Sequence, residues 1–267
     1  MSKYYILYQG SGGLVHMLNG LVYCCDWINK RRNSKLIINV ENHRAFLTKF
    51  STFFNLINVN YSENYDEIIK YSFRRIPLSY IVKNNCGSNY IIEYNNRRIN
   101  VHSGLNSYDA RLPIRIYAGY GKNNHKDVIK YVRVNNETLK KLKVLKFNDD
   151  YIGVHFRNTD RVNNYNIYVK KLQQYKDKRI YLATDDYKAY DYFKEKLPNH
   201  NIVRYTKPQN LGGKCLHFNC DDKERQVFNT LIDMYMLYNS TIFIDSPHSL
   251  VSQLVNTMRE QKKSIFE

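Results

Sequence analysis

The densest concentration of groups able to do chemistry is Val154-His155-Phe156-Arg157-Asn158-Thr159-Asp160-Arg161, which follows a short apolar run. A guanidinium grips a phosphate through two parallel hydrogen bonds, and a second cation beside it raises the local field. Beyond the carboxyl end of a strand in an open α/β sheet, such a group stands where ligands of that architecture bind. Read alone, the same residues also describe a surface turn with Asp160 as a helix cap. Asp185-Asp186 and Ser246-Pro247-His248-Ser249 follow two further apolar runs. Asp233 interrupts an otherwise apolar helical pattern, which suits a half-exposed surface carboxylate as well as a ligand group. Ser249 and Asp185 also read as starts of the helices that follow them.

These groups need a scaffold of alternating strands and helices. Residues 4–8 read as a strand, the turn Gly10-Ser11-Gly12-Gly13 follows, residues 14–28 show helical spacing, and residues 35–40 read as a second strand. Strand, turn, helix, strand is a βαβ unit and implies a parallel sheet. Residues 45–145 support only a mixed α/β reading. A second series then begins, with strands expected at 151–156, 179–184, 201–205 and 241–244. Helices are expected at 165–175, 187–197, 224–238 and 249–259, with a loop over 207–222. Two α/β halves meeting near residues 145–150 suggest two Rossmann-like domains, residues 1–147 and 148–267, facing across a cleft.

The chain of 267 residues has 41 Lys+Arg against 24 Asp+Glu, a net charge of +17, which favours an anionic partner. Nucleic-acid binding calls for clustered Lys/Arg beside exposed aromatics. The basic pairs Arg31-Arg32, Arg74-Arg75 and Arg97-Arg98 are scattered, so nucleic acid is not the expected partner. No apolar stretch approaches the ~20 residues that span a bilayer, and the N-terminus has no signal-peptide core, which points to a cytoplasmic enzyme or an excised domain. Five cysteines, an odd number, fit a reducing compartment better than a disulfide framework. Gly10-Ser11-Gly12-Gly13 is neither a P-loop nor a dinucleotide fingerprint. Cys215, His217 and Cys220 offer three zinc ligands without a fourth, so no metal is expected.

The spacing of His155, Arg157 and Asp160, followed by the basic Arg161, resembles the first peptide motif of the α1,6/α1,2 and protein O-fucosyltransferases. Tyr181-Leu182-Ala183-Thr184-Asp185-Asp186 resembles the second motif, and Ser246-Pro247-His248-Ser249 the third, with Leu231-Ile232-Asp233-Met234-Tyr235 in the helix before it. Gly12-Gly13 and Leu21-Val22-Tyr23-Cys24 resemble the first turn and helix of the same enzymes. The ordered set is similar above all to the α1,6 and bacterial nodulation fucosyltransferases. It implies a GT-B-type α/β fold with an acceptor-side domain and a donor-nucleotide domain. It also implies inverting transfer of L-fucose, or a related deoxyhexose, from a GDP-sugar to a glycan or protein acceptor. GDP-fucose would be the donor substrate, with no cofactor and no divalent metal.

On that resemblance His155 and Asp233 lie against guanine, and Arg157 holds the β-phosphate. Asp160 orients Arg157 or its loop, and Arg161 adds a second cation. Gly12 and Gly13 admit the pyrophosphate, Ser246 and Ser249 serve the anion, and Asp185 and Asp186 line the sugar or acceptor side. Two departures stand out: Asn158 replaces a second arginine, and Tyr165 occupies the place of a presumed catalytic Glu. A tyrosine of ordinary pKa near ~10 is a poor base at neutral pH. Asp185, Asp186 or Glu41 would have to replace it, or the acceptor would lose its proton late. The missing Glu also suits a catalytically inactive GDP-sugar or glycan-binding protein.

Overall fold

The computed structural model describes residues 4–8, 12–31, 33–41, 43, 45–64, 89–94, 97–102, 114–117 and 124–267. Gly10 and Ser11 of the expected turn, and the basic residues Arg32, Arg74 and Arg75, lie outside the described residues. The chain divides into two compact units, Met1–Arg133 and Val134–Glu267.

The first unit contains β1 (Tyr4–Tyr8), α1 (Leu14–Asn29), β2 (Ser34–Ile38), β3 (Phe54–Leu56), β4 (Tyr61–Ser62), β5 (Asn89–Tyr94), β6 (Arg97–His102), β7 (Ile114–Tyr117) and α2 (His125–Tyr131). Its main sheet is parallel, in the order β4-β2-β1-β7, with Ile6 opposite Leu36 and Arg115. Gly12 precedes α1 at φ +64°, and a Cβ there would stand 2.7 Å from His16. Only glycine fits that turn without strain. α1 buries Leu18, Leu21, Val22 and Cys25 of the apolar stripe, and also Val15, Met17, Cys24, Trp27 and Ile28, so it is covered on more than one face. Burial raises the thiols of Cys24 and Cys25, so both act as core packing. Tyr131 donates to Asp26 at 2.6 Å and ties α2 to α1. Within residues 45–145, the antiparallel pair β5–β6 and the strand β7 supply the β part of the mixed reading, α2 and the helix over 136–143 the α part, and the rings of Phe46, Phe50 and Phe54 stack as a local core.

The second unit contains α3 (Asn136–Lys143), β9 (Tyr151–Phe156), α4 (Tyr165–Leu172), β10 (Arg179–Thr184), α5 (Ala189–Lys196), β11 (Asn201–Val203), α6 (Leu216–Asn219), α7 (Lys223–Asn239), β12 (Ile242–Ile244) and α8 (Leu250–Gln261). The short β8 (Val132–Val134) leads into it. Its sheet is parallel in the order β11-β10-β9-β12, with Val154 opposite Leu182 and Ile244.

Successive side chains of a strand point to opposite faces, and β9 exploits both. Ile152, Val154 and Phe156 join Ile180 and Leu182 beneath Tyr168 and Leu172 of α4 and Phe193 of α5. Full burial of each such aliphatic or aromatic side chain contributes about 1.5–3 kcal/mol. On the other face Tyr151 donates to the Met236 carbonyl at 2.6 Å. A Cβ on Gly153 would meet Ser240 Oγ at 2.7 Å, so glycine lets the end of α7 press onto the strand. Arg259 closes that end by donating to the carbonyls of Leu237 and Tyr238 in the last turn, which lack intrahelical donors, and to those of Ser240 and Thr241 just beyond it.

Many element ends shift by one or two residues from expectation, and three departures have a visible cause. α4 stops at Leu172, where the Tyr175 N–H turns back to the Leu172 carbonyl. β11 stops at Val203, because the Tyr205 ring leaves the ladder to pack on Phe147 and Tyr181. The expected loop over 207–222 contains the short α6.

Candidate functional site

β9 delivers His155 inside the fold and Arg157 just past its carboxyl end. Arg157 donates to Asp160 Oδ1 from Nε at 3.1 Å and from Nη2 at 2.7 Å. Burial disfavours the Asp160 charge, but the hydrogen bonds and charge of Arg157 outweigh it and hold the carboxyl below its ordinary range. The guanidinium is therefore fixed before any ligand arrives. Arg161 donates at 3.2 Å to the carbonyl of His248, in the turn that opens α8. The first motif thus touches the third directly.

The loop after β9 rests on two carboxylates from the end of β10. Asp185 accepts from the Asn158 backbone N–H at 2.7 Å and from Thr159 Oγ1 at 2.6 Å, and lies 3.9 Å from Arg157 Nε. Burial raises its pKa against those three attractions. Asp186 accepts from Asn158 Nδ2 at 2.8 Å, from the Lys188 N–H at 2.9 Å and from the Tyr165 hydroxyl. Both carboxylates face the loop they support. Asn158, where a second arginine would stand on the resemblance, is the side chain that couples the loop to Asp186. Tyr165 packs against Phe156, Tyr192 and Phe193, and burial, then its contact with Asp186, pushes its phenol upward. It is a hydrogen-bond donor in an aromatic cluster, not a base.

β12 lies beside β9 and feeds Ser246-Pro247-His248-Ser249 into α8. His248 takes the left-handed conformation at φ 61°, a region histidine enters more readily than most residues. Ser249 is 2% exposed, makes no side-chain cap bond, and its hydroxyl has no partner. Twelve residues of helix begin there with no acidic side chain in the first turn. First-turn N–H groups lack intrahelical acceptors, and the helix dipole adds positive potential. Such an end accepts an anion.

His155, on β9, points to the sheet face that α7 and α8 cover, and Asp233 reaches toward the same sheet from α7. His155 Nδ1 lies 2.7 Å from Ser252 Oγ, which also accepts the Ser246 N–H at 3.0 Å. Burial, reinforced by the Arg157 charge, lowers the imidazole pKa to about 3, so the ring is neutral at physiological pH. Asp233 accepts from Tyr181 Oη at 2.7 Å and from Thr206 Oγ1 at 2.9 Å. Burial pushes its carboxyl up to about 7 in spite of both hydrogen bonds.

The second unit therefore brings together His155, Arg157, Asp160, Arg161, Asp185, Asp186, Ser246 and Ser249 around the ends of β9, β10 and β12. Asp233 stands on α7, one strand over, while Gly12 and Gly13 belong to the first unit. Sequence reasoning does not single out Asn163, Thr206 or Ser252. Ser252 lies one helical turn beyond Ser249, a spacing that offered a signal; Asn163 and Thr206 carry none. Among the described residues no group of three or more His, Cys, Asp and Glu has metal-ligating geometry, Cys215, His217 and Cys220 included.

No protein-family model matches the chain, and no curated protein matches its sequence. Solved structures do match. The fucosyltransferase NodZ from Bradyrhizobium superposes with a TM-score of 0.61 at 13% identity, over 96% of this chain and 92% of that one. A selenomethionine structure of NodZ from Bradyrhizobium gives 0.59 at 13% identity over the same shares. POFUT1 in complex with GDP-fucose gives 0.53 at 11% identity, over 97% of this chain and 95% of that one. The chain thus has the fold of the solved fucosyltransferases, an α/β architecture of the GT-B type.

Proposed function

We propose that the chain is an inverting glycosyltransferase moving L-fucose, or a related deoxyhexose, from a GDP-sugar to a glycan or protein acceptor. One observation carries this reading. Arg157, Arg161 and the start of α8, with its buried and unpartnered Ser249 hydroxyl, converge at the carboxyl ends of adjacent strands. That arrangement suits a diphosphate. The chain supplies its own cations there, so a divalent metal is not required.

The chemistry follows from charge. As the acceptor oxygen bonds to the anomeric carbon from one face, the bond to the β-phosphate oxygen breaks on the other and its electron pair stays with GDP. Arg157, fixed by Asp160, meets that developing charge without reorganisation at the moment of reaction, which is where electrostatic stabilisation acts best. Tyr165 is a donor, and Asp185 and Asp186 are engaged by the loop, so the acceptor proton leaves late, to solvent or to the departing diphosphate. Asp160 and Asp185 then act as positioning residues. His155 and Asp233 face the guanine, with Tyr181 and Thr206 aiming the carboxylate.

The same engagement of Asp185 and Asp186 favours a second reading, a GDP-sugar-binding protein that performs no transfer. Calorimetry with GDP, GDP-fucose, GDP-mannose and UDP-sugars, with and without EDTA, tests the first. A preference for UDP, or binding lost on adding EDTA, overturns it. GDP binding with no release of GDP from GDP-fucose, across a panel of glycan and protein acceptors, selects the second.

A further inference from the structure

We infer that Asn163 is a positioning residue that locks the two anion-gripping loops into a single unit. The inference rests on the donor-binding reading above and concerns a residue outside all three motifs. Asn163 Nδ2 donates to the Arg157 carbonyl and, at 3.0 Å, to Ser246 Oγ, while its backbone N–H donates to Asn158 Oδ1 at 2.8 Å. One side chain therefore joins the backbone of the arginine loop to the turn that opens α8. Asn158 continues the chain of bonds to Asp186, and Ser252 continues it from the Ser246 N–H to His155.

The physical consequence is that Arg157 and the start of α8 cannot shift independently. An amide suits this post because its two N–H bonds diverge and serve two acceptors at once. Aspartate at the same place offers acceptors only, and alanine offers nothing.

Calorimetric binding of GDP and of guanosine to the full chain tests the idea, using wild type, Asn163→Ala, Asn163→Asp, Ser246→Ala and the double variant Asn163→Ala/Ser246→Ala. Asn163→Ala is expected to weaken GDP binding about tenfold and guanosine binding less than about twofold. A residue that merely supports the fold would weaken both ligands alike. The double variant is expected to lose less than the product of the two single losses, because both cut one bridge. An unchanged ratio of GDP to guanosine affinity in both Asn163 variants, or fully multiplicative losses, overturns the inference while leaving the donor reading intact. Wild-type protein that binds no GDP overturns the donor reading and this inference with it. Should those Asn163 variants fail to fold, Asn163→Gln, which keeps the amide but moves it one methylene away from both acceptors, carries the same comparison of ligands.

Discussion

Replacing Asp233 by asparagine isolates what the protein sacrifices to keep a carboxylate on the sheet-facing side of α7. The native carboxyl titrates near 7 where an unburied one titrates at 3.8, because burial disfavours its charge. A carboxyl held one pH unit above its ordinary value carries a penalty of about 1.4 kcal/mol, so the charged form here costs up to roughly 4 kcal/mol. The group is only part-buried, and solvent screening brings the expected figure nearer ~2 kcal/mol. Between pH 3.8 and about 7 the folded state binds more protons than the unfolded state, so stability falls as pH rises through that window. Above it the penalty is complete. Asparagine keeps an oxygen for the Tyr181 and Thr206 hydroxyls and carries no charge. Urea denaturation followed by tyrosine fluorescence from pH 4 to 8 should show the variant more stable than wild type by ~2 kcal/mol at pH 8. The gap should close toward pH 4. Guanine nucleotide binding should be lost at the same time. A variant less stable than wild type at pH 8, or a gap that ignores pH, would refute the reasoning.

Arg157→Ala is expected to abolish turnover while the variant stays folded by circular dichroism; wild-type rates in that variant would remove Arg157 from the mechanism. Tyr165→Phe keeps the ring against Phe156 and Tyr192 and loses only the hydroxyl bond to Asp186. Its turnover should stay within about threefold of wild type, and a hundredfold loss in steady-state rate would put the phenol into the chemistry. Gly153→Ala forces a methyl to within 2.7 Å of Ser240 Oγ. Overpacking of that kind costs about 1–3 kcal/mol, visible as a lowered thermal midpoint, and a neutral result would mean the end of α7 moves freely.

The parts of the fold that sequence reasoning placed to the residue are those with one dominant cause. β9 and β10 are short apolar runs buried on both faces, as parallel strands between helical layers must be, and their expected limits match those observed. Helix ends differ by a residue or more because their caps decide them: Asp222 accepts the Arg225 N–H and starts α7 before its first apolar residue. Residues 45–145 stayed opaque because the elements described there are short: an aromatic cluster, an antiparallel pair, and two helices of seven and eight residues that span too few turns to show a clear period. In the site, Arg157 and Asp160 were legible because they pair three residues apart. The partners that aim the site lie far off in sequence: 83 residues separate Asn163 from Ser246, 97 separate His155 from Ser252, and 27 separate Thr206 from Asp233. No local spacing records such contacts. Asn158 and Tyr165 read as defects against the fucosyltransferase pattern, whereas each has a partner that gives it a structural task.

The side-by-side placement of β9 and β12, with Val154 level with Ile244, limits how the two loops can vary in length. Two loops springing from neighbouring strands at one height must reach each other with chain of set length, or Arg161 misses the His248 carbonyl. Side chains in the loops can drift as long as the span is kept. An inserted or deleted residue between Val154 and Asn163, or between Ile244 and Ser249, slides every group that follows. Those two intervals therefore tolerate exchanged side chains far better than changed lengths.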